Sequence, residues 1–298
     1  MTIRIGISGW RYAAWRGAFY PAGLPQRLEL SYAAQRFPSI ELNGSFYSLQ
    51  RPEFFARWYG ATPEEFVFAV KGPRFITHLR RLKEPATPLA NFLASGLLNL
   101  RRKLGPILWQ FPANLRYDRE RFATFLSLLP RDTAGALGLA RQRNRELMRG
   151  RTRLAIDENR PLCHAVEIRS ESFLNDDFHS LLRQHGVALV ISESAGRWPM
   201  PQELTADFVY LRLHGDAELY RSGYGDDALT RWADRIEAWH RGVAPSDAPR
   251  LGPGSAVHRA RDVYCYFDNT DAKLRAPFDA EALIAKLRAR SSDVAVSA

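Results

Sequence analysis

Short runs of apolar residues alternate along this chain with longer amphipathic stretches. Eight of the runs have the length and the β-branched or aromatic content of buried strands. They are IRIGIS (Ile3 to Ser8), SIELN (Ser39 to Asn43), FVFAVK (Phe66 to Lys71), PILWQF (Pro106 to Phe111), HAVEIR (His164 to Arg169), VALVIS (Val187 to Ser192), FVYLRLH (Phe208 to His214) and VYCYFD (Val263 to Asp268). Strands that alternate with helices are typical of βα units and a parallel sheet.

The stretches between the runs have the apolar spacing of helices. Examples are PQRLELSYAAQRF, DRERFATFLSLL, DDFHSLLRQHG and DDALTRWADRIEAWH, whereas GRWPMPQELTAD is too short and too rich in proline for a full helix. Eight βα units within 298 residues predict an α/β fold, a single (β/α)8 TIM-like barrel. A doubly wound nucleotide fold would require a G-x-G-x-x-G turn after the first strand, and GISGW is not one.

Two regions fall outside the repeat. Residues 131–161 form a basic insertion before the fifth strand, which we expect to be partly helical from Ala134 to Met148. The stretch from Gly242 to Ala256 is rich in proline and glycine and predicts a loop. Residues 291–298 are expected to form a disordered tail, so residues 1–290 are assigned to the barrel.

The side chains of a strand alternate between its two faces, so the aliphatic residues fix which polar residues point into a barrel. Ile40 and Leu42 face outward, which leaves Glu41 and Asn43 facing inward. The same parity turns a further set of polar side chains inward near the strand ends: Ser8, Lys71, Gln110, Glu167, Arg169, Tyr210, Arg212 and His214. In the sixth and eighth strands the inward residue is either Ser192 or Glu193, and either Asp268 or Asn269.

The barrel mouth at the carboxyl ends of the strands is where such folds place their sites. Glu41, Glu167 and His214 are therefore candidate catalytic acids and bases. Candidate substrate-binding residues are Trp10, Asn43, Lys71, His78, Gln110, Arg169, Arg212, Tyr224, Asp268 and Asn269, with the lysine and the arginines as an anion clamp. The structural alternative is a buried ion-pair network without chemistry. The first interpretation predicts an enzyme, a hydrolase or an isomerase, with a small anionic, phosphorylated or polyhydroxylated substrate.

Composition adds two alternatives. The chain carries 42 basic and 32 acidic residues, a formal charge of +10, which also suits a nucleic-acid partner or a metal-dependent nuclease-like activity. A non-catalytic ligand sensor is a third class. The sequence has neither a signal peptide nor an apolar run long enough to cross a bilayer, so we expect a cytoplasmic protein without a membrane partner. Its two cysteines, Cys163 and Cys265, are too few for a disulfide framework.

A divalent metal is the cofactor that the candidate residues could hold. Glu41, Glu167, His214 and Asp268 come from four different strands, and carboxylate and imidazole groups are common metal ligands. Lys71, Arg169 and Arg212 would compete for the same carboxylates, and the sequence contains no compact ligand motif. The interpretation without a metal is therefore favoured.

Several motifs resemble the DUF72 family, also called YecE-like or UPF0759 proteins. They are SGWRYAAWRGAFYP, ELNGSFY, FAVKGPRFITH, LGPILWQFP, HAVEIRSESF, YLRLHG followed by LYRSGY, and YCYFDN. The resemblance extends from about Ile3 to Leu287 and implies a TIM barrel, but it implies no reaction. The sequence departs from the family pattern at Ser170, where many relatives have histidine, and at Thr270, where asparagine or aspartate is common.

The nucleic-acid alternative makes a quantitative prediction about the basic insertion. If its arginines neutralise phosphates, replacing Arg141, Arg143, Arg145 and Arg149 by alanine should flatten the salt dependence of binding. The expected change is about one unit of slope for each phosphate that is no longer neutralised. We expect little specific binding at physiological salt. Submicromolar, steeply salt-dependent binding to DNA or RNA that the quadruple variant abolishes would favour the nucleic-acid function instead, and filter binding across a salt series measures it.

Overall fold

The computed structural model describes residues 1–245, 247, 259–270 and 274–296, with side chains up to residue 290. Nine strands lie in the described residues, close to the eight predicted runs. They are β1 (Ile3–Ser8), β2 (Ser39–Leu42), β3 (Val67–Lys71), β4 (Leu104–Gln110), β5 (His164–Glu167), β6 (Ala188–Leu189), β7 (Ile191–Glu193), β8 (Phe208–Leu213) and β9 (Asp262–Phe267). The ninth strand arises because the predicted sixth run is interrupted at Val190.

Nine α-helices are present among the same residues, and the four predicted examples are all confirmed. The helices are α1 (Glu29–Arg36), α2 (Gly44–Tyr47), α3 (Pro52–Gly60), α4 (Ala86–Ala94), α5 (Arg119–Leu128), α6 (Thr133–Ala140), α7 (Asp176–His185), α8 (Asp226–Arg241) and α9 (Arg275–Val296). As expected from its prolines, the described segment between β7 and β8 contains no helix. No helix in the described part of the chain has both the length and the hydropathy needed to span a membrane.

The strands are ordered β6-β5-β4-β3-β2-β1-β9-β8-β7 in one sheet. The two ends of this order, β6 and β7, are consecutive in the chain and separated by one residue, Val190. A sequential parallel order of this kind, with helices between the strands, is that of a (β/α)8 barrel. The fold class predicted from the sequence, an α/β TIM-like barrel, is therefore confirmed.

Two compact units are distinguishable in the chain. The first, the terminal unit, comprises residues 1–40 and 188–298, and the second, the central unit, comprises residues 41–187. In the terminal unit β9 pairs in parallel with both β1 and β8, and β8 also pairs with β7. In the central unit β4 pairs in parallel with β3 and β5.

A layer of small and aromatic side chains lies on the strands of the terminal unit. The rings of Tyr210 and Tyr266 are 5.3 Å apart, and the Tyr266 hydroxyl is 2.6 Å from the hydroxyl of Ser39. A Cβ on Gly6 would come within 1.9 Å of the Ser39 carbonyl oxygen. Glycine is therefore required in β1, because a larger residue would separate the two strands.

The first and last residues of the insertion lie side by side in the central unit. An antiparallel bridge joins Asp132 to Pro161, and the backbone N–H of Leu162 donates to the carbonyl of Arg131. The Asp132 side chain caps α6 by accepting from the N–H of Gly135. The predicted helix from Ala134 to Met148 was too long, since α6 ends at Ala140. Among the arginine-rich residues from Arg141 to Met148, Met148 is the buried apolar side chain, and one such residue is too little to stabilise a longer helix.

The carboxyl-terminal predictions are only partly covered by the structure. Helix α9 continues to Val296, so the expected tail of residues 291–298 is helical through its first six positions. The last two positions of that tail lie outside the described residues, as does most of the loop predicted from Gly242 to Ala256.

His164 at the start of β5 is a neutral buried imidazole. Its Nδ1 accepts from the indole N–H of Trp109 at 3.2 Å, and its Nε2 lies 2.8 Å from the carbonyl oxygen of Pro130. Burial lowers the pKa of His164 to about 4. The ring therefore stays neutral in the folded protein at pH values where the unfolded chain already binds a proton.

The lowered pKa of His164 predicts that the protein loses stability as the pH falls. Between the unfolded pKa of about 6.5 and the folded pKa, protonation favours the unfolded chain, so stability falls as the pH falls. From pH 7.5 to pH 5 we expect His164 to account for a loss of about 2 kcal/mol in unfolding free energy. Urea unfolding of the parent and of His164→Gln at both pH values measures this loss, and equal decreases in the two proteins would contradict it.

Candidate functional site

Five polar side chains meet near the carboxyl ends of β1, β7, β8 and β9. They are Ser8, Ser192, Arg212, His214 and Asp268, and we call them the His214 cluster. Ser192 and Arg212 are register partners in adjacent strands, so their side chains share one face. The first four residues are at most 1% exposed, while the Asp268 side chain keeps 14% exposure. The cluster is therefore buried, with Asp268 nearest to solvent.

Arg212 holds the His214 cluster together. Its Nη2 donates to Oδ2 of Asp268 at 2.8 Å and to Oγ of Ser8 at 3.3 Å. A buried guanidinium is tolerated only when charge and hydrogen bonds compensate it. Asp268 supplies the charge, and its position also settles the ambiguity of the eighth predicted strand in favour of Asp268 over Asn269.

His214 contacts a different kind of group through each ring nitrogen. Nδ1 lies 3.0 Å from Oδ2 of Asp268 and Nε2 lies 3.2 Å from Oγ of Ser192. Nη1 of Arg212 approaches Nε2 at 3.5 Å. Because a guanidinium can only donate, its approach favours the tautomer with the lone pair on Nε2 and the ring proton on Nδ1; Nδ1 lies close to Asp268 but without the alignment of a hydrogen bond. In this tautomer the Ser192 hydroxyl donates to Nε2.

Two aromatic rings cover His214. Trp198, from the segment after β7, lies 5.9 Å from the imidazole, and Tyr220, from the segment after β8, lies 5.2 Å from it, both edge to face. Gly215 starts the second segment at φ +119, and a Cβ there would come within 2.4 Å of the Glu218 carbonyl oxygen. The loop that carries Tyr220 therefore depends on a glycine directly after His214.

Glu193, the neighbour of Ser192, contacts helix α8. The indole N–H of Trp232 donates to its Oε2 at 3.0 Å, and burial raises the pKa of the Glu193 carboxyl. Tyr224, predicted to bind substrate, is buried beside it and accepts from the N–H of Gly215 at 3.0 Å. Burial raises the pKa of the Tyr224 phenol well above its usual value. Because the side chain of Glu193 contacts helix α8, the residue of the sixth run that faces inward is Ser192.

Asn269 and Trp10 also take part in contacts of the terminal unit. The Asn269 amide donates to Oδ2 of Asp279 in α9 at 2.8 Å and to the Ser222 carbonyl at 3.0 Å. Trp10 is 7% exposed, and its carbonyl accepts from the Tyr20 hydroxyl at 2.6 Å. These bonds hold the loops that follow β1, β8 and β9.

The central unit carries a second group around Glu167, at the end of β5. The Gln110 amide donates to both carboxylate oxygens of Glu167, at 2.9 and 3.0 Å, and Nε of Arg169 donates to Oε1 at 3.0 Å. Glu167 is fully buried and Arg169 is 15% exposed. The carboxylate is thus compensated by one cation and two amide hydrogen bonds, as buried charge requires.

Lys71 and His78 belong to the same electrostatic environment. Nζ of Lys71 lies 4.4 Å from the centre of the Phe46 ring, and the imidazole of His78 lies 5.1 Å from that ring. Burial, followed by the charges of Lys71 and Arg169, lowers the pKa of His78 to about 4. His78 is therefore neutral at pH 7 and can take part in hydrogen bonds without adding charge.

The remaining candidates lie at the end of β2. Glu41 is fully buried within the strand, and Asn43 immediately precedes α2. The hydroxyl of Ser45 in α2 donates to the carbonyl of Lys71 at 2.6 Å. The convergence of every candidate on one cavity stays a prediction. Within the described residues, no three side chains of His, Cys, Asp or Glu come together in a way that could hold a metal ion.

The fold and these strand-end clusters define a TIM-like α/β barrel protein with buried ionic groups. Residues 4–298 match the family described as "Protein of unknown function DUF72", and the chain belongs to that family. The resemblance seen in the sequence motifs is confirmed.

Known relatives agree with this assignment. The UPF0759 protein YecE of Escherichia coli K12 is 24% identical over 82% of this chain and 84% of its own length. The UPF0759 protein YunF of Bacillus subtilis is 30% identical over 41% of this chain, a match that spans 44% of YunF. A crystal structure of a DUF72 family protein from Thermotoga maritima has a TM-score of 0.71 and 22% identity, covering 97% of this chain and all of that one. The family match over residues 4–298 establishes the family, and the likeness to the solved structure establishes the fold.

Sequence reasoning did not select two residues that contact His214. Trp198 and Tyr220 lie in segments without strand or helix periodicity, so no parity argument could place them. Ser192 was one of two choices, because the break at Val190 makes the alternation of that run ambiguous. The single hint was the glycine after His214 in the motif YLRLHG.

The Glu167 network predicts the response to removal of its charge. In Glu167→Gln, Gln110 can reverse its amide and Arg169 retains an oxygen acceptor, so we expect an unfolding free energy within about 1 kcal/mol of the parent. Glu167→Leu removes every acceptor and should cost about 3–5 kcal/mol. Chemical unfolding beside the exposed control Glu171→Gln measures both. A loss of about 3 kcal/mol or more in Glu167→Gln would mean that the negative charge itself is structural. The same loss in Glu41→Gln would mean that the charge of Glu41 is structural.

Proposed function

We propose that this protein is an enzyme that acts by acid–base chemistry on a small anionic or polyhydroxylated substrate at the carboxyl ends of its strands. The observation that carries the proposal is the environment of His214. Its two ring nitrogens face a carboxylate and a hydroxyl, and the contact with Arg212 favours its proton on the side of the carboxylate. A positioned imidazole in a defined tautomer is the commonest general base in enzymes.

The energetic cost of the arrangement supports a catalytic role. Arg212, Asp268 and His214 are withdrawn from water, although apolar side chains of similar volume would often stabilise such a position at least as well. Burial of this kind is typical of active sites, where low polarity strengthens electrostatic interactions with a reacting group. The proposal assigns His214 as the general acid and base and Asp268 as the group that orients it.

Each unit, taken by itself, carries positive charge that suits an anionic substrate: Arg212 in the terminal unit, and Lys71 and Arg169 in the central unit. Burial, followed by the charges of Lys71 and Arg169, lowers the pKa of His78. Arg169 offers further N–H donors besides the one bonded to Glu167, which suits carboxylate or phosphate groups. The proposal keeps Glu41 and Glu167 as further acid–base candidates in the central unit.

Nucleic-acid binding is the second candidate, and one observation favours it. Of the six arginines between positions 141 and 153 of the insertion, five are exposed and Arg143 is half-buried. The exposed members are Arg141, Arg145, Arg149, Arg151 and Arg153. Such a run suits phosphate contacts, and measuring the affinity across a salt series separates this candidate from the enzyme.

Substrate profiling tests the enzymatic proposal. We expect the parent protein to consume at least one compound of a mixture of phosphorylated, carboxylated and polyhydroxylated metabolites, followed by mass spectrometry. His214→Gln should consume it at least about 100-fold more slowly, because general acid–base catalysis contributes about 10²–10⁴ in rate. The control His185→Gln, at the end of α7, should match the parent. No consumption by the parent, or equal rates for parent and His214→Gln, would contradict the proposal.

A further inference from the structure

Ser192 is the member of the His214 cluster that acid–base catalysis alone does not require. We propose that Ser192 is a nucleophile that accepts an acyl group from a small ester or thioester, with His214 as its base and Asp268 as the group that orients the imidazole. The inference rests on the proposed function and deepens it by naming the reaction as acyl transfer to water.

The geometry meets the two requirements of an activated serine. Oγ of Ser192 lies 3.2 Å from Nε2 of His214, at the outer limit of the hydrogen-bond range for a nucleophile and its base. The second ring nitrogen lies 3.0 Å from Oδ2 of Asp268, which supplies a negative charge beside the imidazole, although the contact lacks the alignment of a hydrogen bond. Such a set is recognised by geometry and roles, and its order along the chain differs between unrelated folds.

Arg212 distinguishes this set from a serine that merely caps a histidine. Its Nη1 lies 3.5 Å from Nε2 of His214, and because a guanidinium can only donate, this contact favours a lone pair on that nitrogen. Proton removal from Ser192 requires that lone pair. The guanidinium also places a fixed positive charge near the reacting hydroxyl, where negative charge develops during attack on a carbonyl.

The chemical steps balance with water as the second substrate. The Ser192 proton moves to Nε2 while an Oγ–carbon bond forms, and His214 then returns the proton to the departing alkoxide or thiolate as its bond to carbon breaks. Water next attacks the acyl group, loses a proton to His214 and releases the acid, and the proton restores the serine hydroxyl. No oxidant, reductant or further reactant is needed.

The proposal gives the two rings that lie against His214 the control of access to Ser192. Ser192 is 1% exposed and His214 is fully buried, with Trp198 and Tyr220 against the imidazole. Both rings belong to segments outside the strands and helices, so their displacement does not require the sheet to open. The substrate must therefore be small, and removal of the two rings should expose the serine.

Covalent labelling tests the inference without a known substrate. Diisopropyl fluorophosphate reacts with activated serines as an Oγ–phosphorus bond forms, fluoride leaves and the base takes the proton. We expect a single adduct on the parent protein, mapped to Ser192 by peptide mass spectrometry. The double variant Trp198→Ala/Tyr220→Ala should react at least 10-fold faster, whereas His214→Gln should react at least 100-fold more slowly. Ser127→Ala, an exposed helix position, is the matched serine control.

The outcomes separate this inference from the proposed function. An adduct on Ser192 in the parent or in the double variant supports it. Absence of an adduct on Ser192 from both proteins, or equal labelling of Ser192 in the parent and in His214→Gln, overturns it. Turnover of a metabolite by a folded Ser192→Ala at the parent's rate would also overturn it while leaving acid–base catalysis by His214 intact. Failure of the parent to turn over any compound bears on the proposed function instead.

Discussion

Charge withdrawn from water must be compensated within a few ångströms, and this requirement governs both clusters at the strand ends. In the terminal unit the buried guanidinium of Arg212 is compensated by Asp268, with Ser8 taking a further N–H. In the central unit the buried carboxylate of Glu167 is compensated by Arg169 and the Gln110 amide. Removing one member of such a pair together with its hydrogen-bonding atoms, as Glu167→Leu would, costs more than the pair contributes. Each residue therefore fixes the identity of its neighbours.

The same requirement explains why two other histidines, His164 and His78, are neutral. His164 is buried without a carboxylate and hydrogen-bonds an indole and a backbone carbonyl, and His78 lies near Lys71 and Arg169. Burial disfavours a positive charge on both rings and lowers their pKa, and at His78 the charges of Lys71 and Arg169 lower it further. His214 differs because a carboxylate lies 3.0 Å from its Nδ1. Among these three, His214 is the fully buried ring with a carboxylate oxygen within 3.0 Å, and for this reason the proposal gives it the acid–base role, while His78 stays a candidate for substrate binding.

The strands could be predicted from the sequence because burial on both faces leaves long aliphatic runs, and the polar residues among them stand out. Arg212 and His214 were placed on one face by the leucines beside them, and their 3.5 Å contact agrees with that placement. Prediction was weaker where the strand is short. The two-residue β6 and three-residue β7 give too few positions to fix parity, so Ser192 and Glu193 could not be distinguished. Loop residues such as Trp198 follow no period, and only the structure brings them to His214.

The basic insertion has a further consequence for how this chain can vary. Its two ends meet at the bridge between Asp132 and Pro161, and the hydroxyl of Thr133 also donates to the carbonyl of Glu158. A segment whose ends are tied together can be lengthened at an entropic cost that grows only with the logarithm of its length. The buried side chains of Ala136, Ala140 and Met148 and the bond from the N–H of Asn144 to Asn91 hold the segment against the central unit. Its exposed positions, such as Arg141 and Arg149, are therefore where natural variation, or an engineer, could exchange one binding surface for another without rebuilding the barrel.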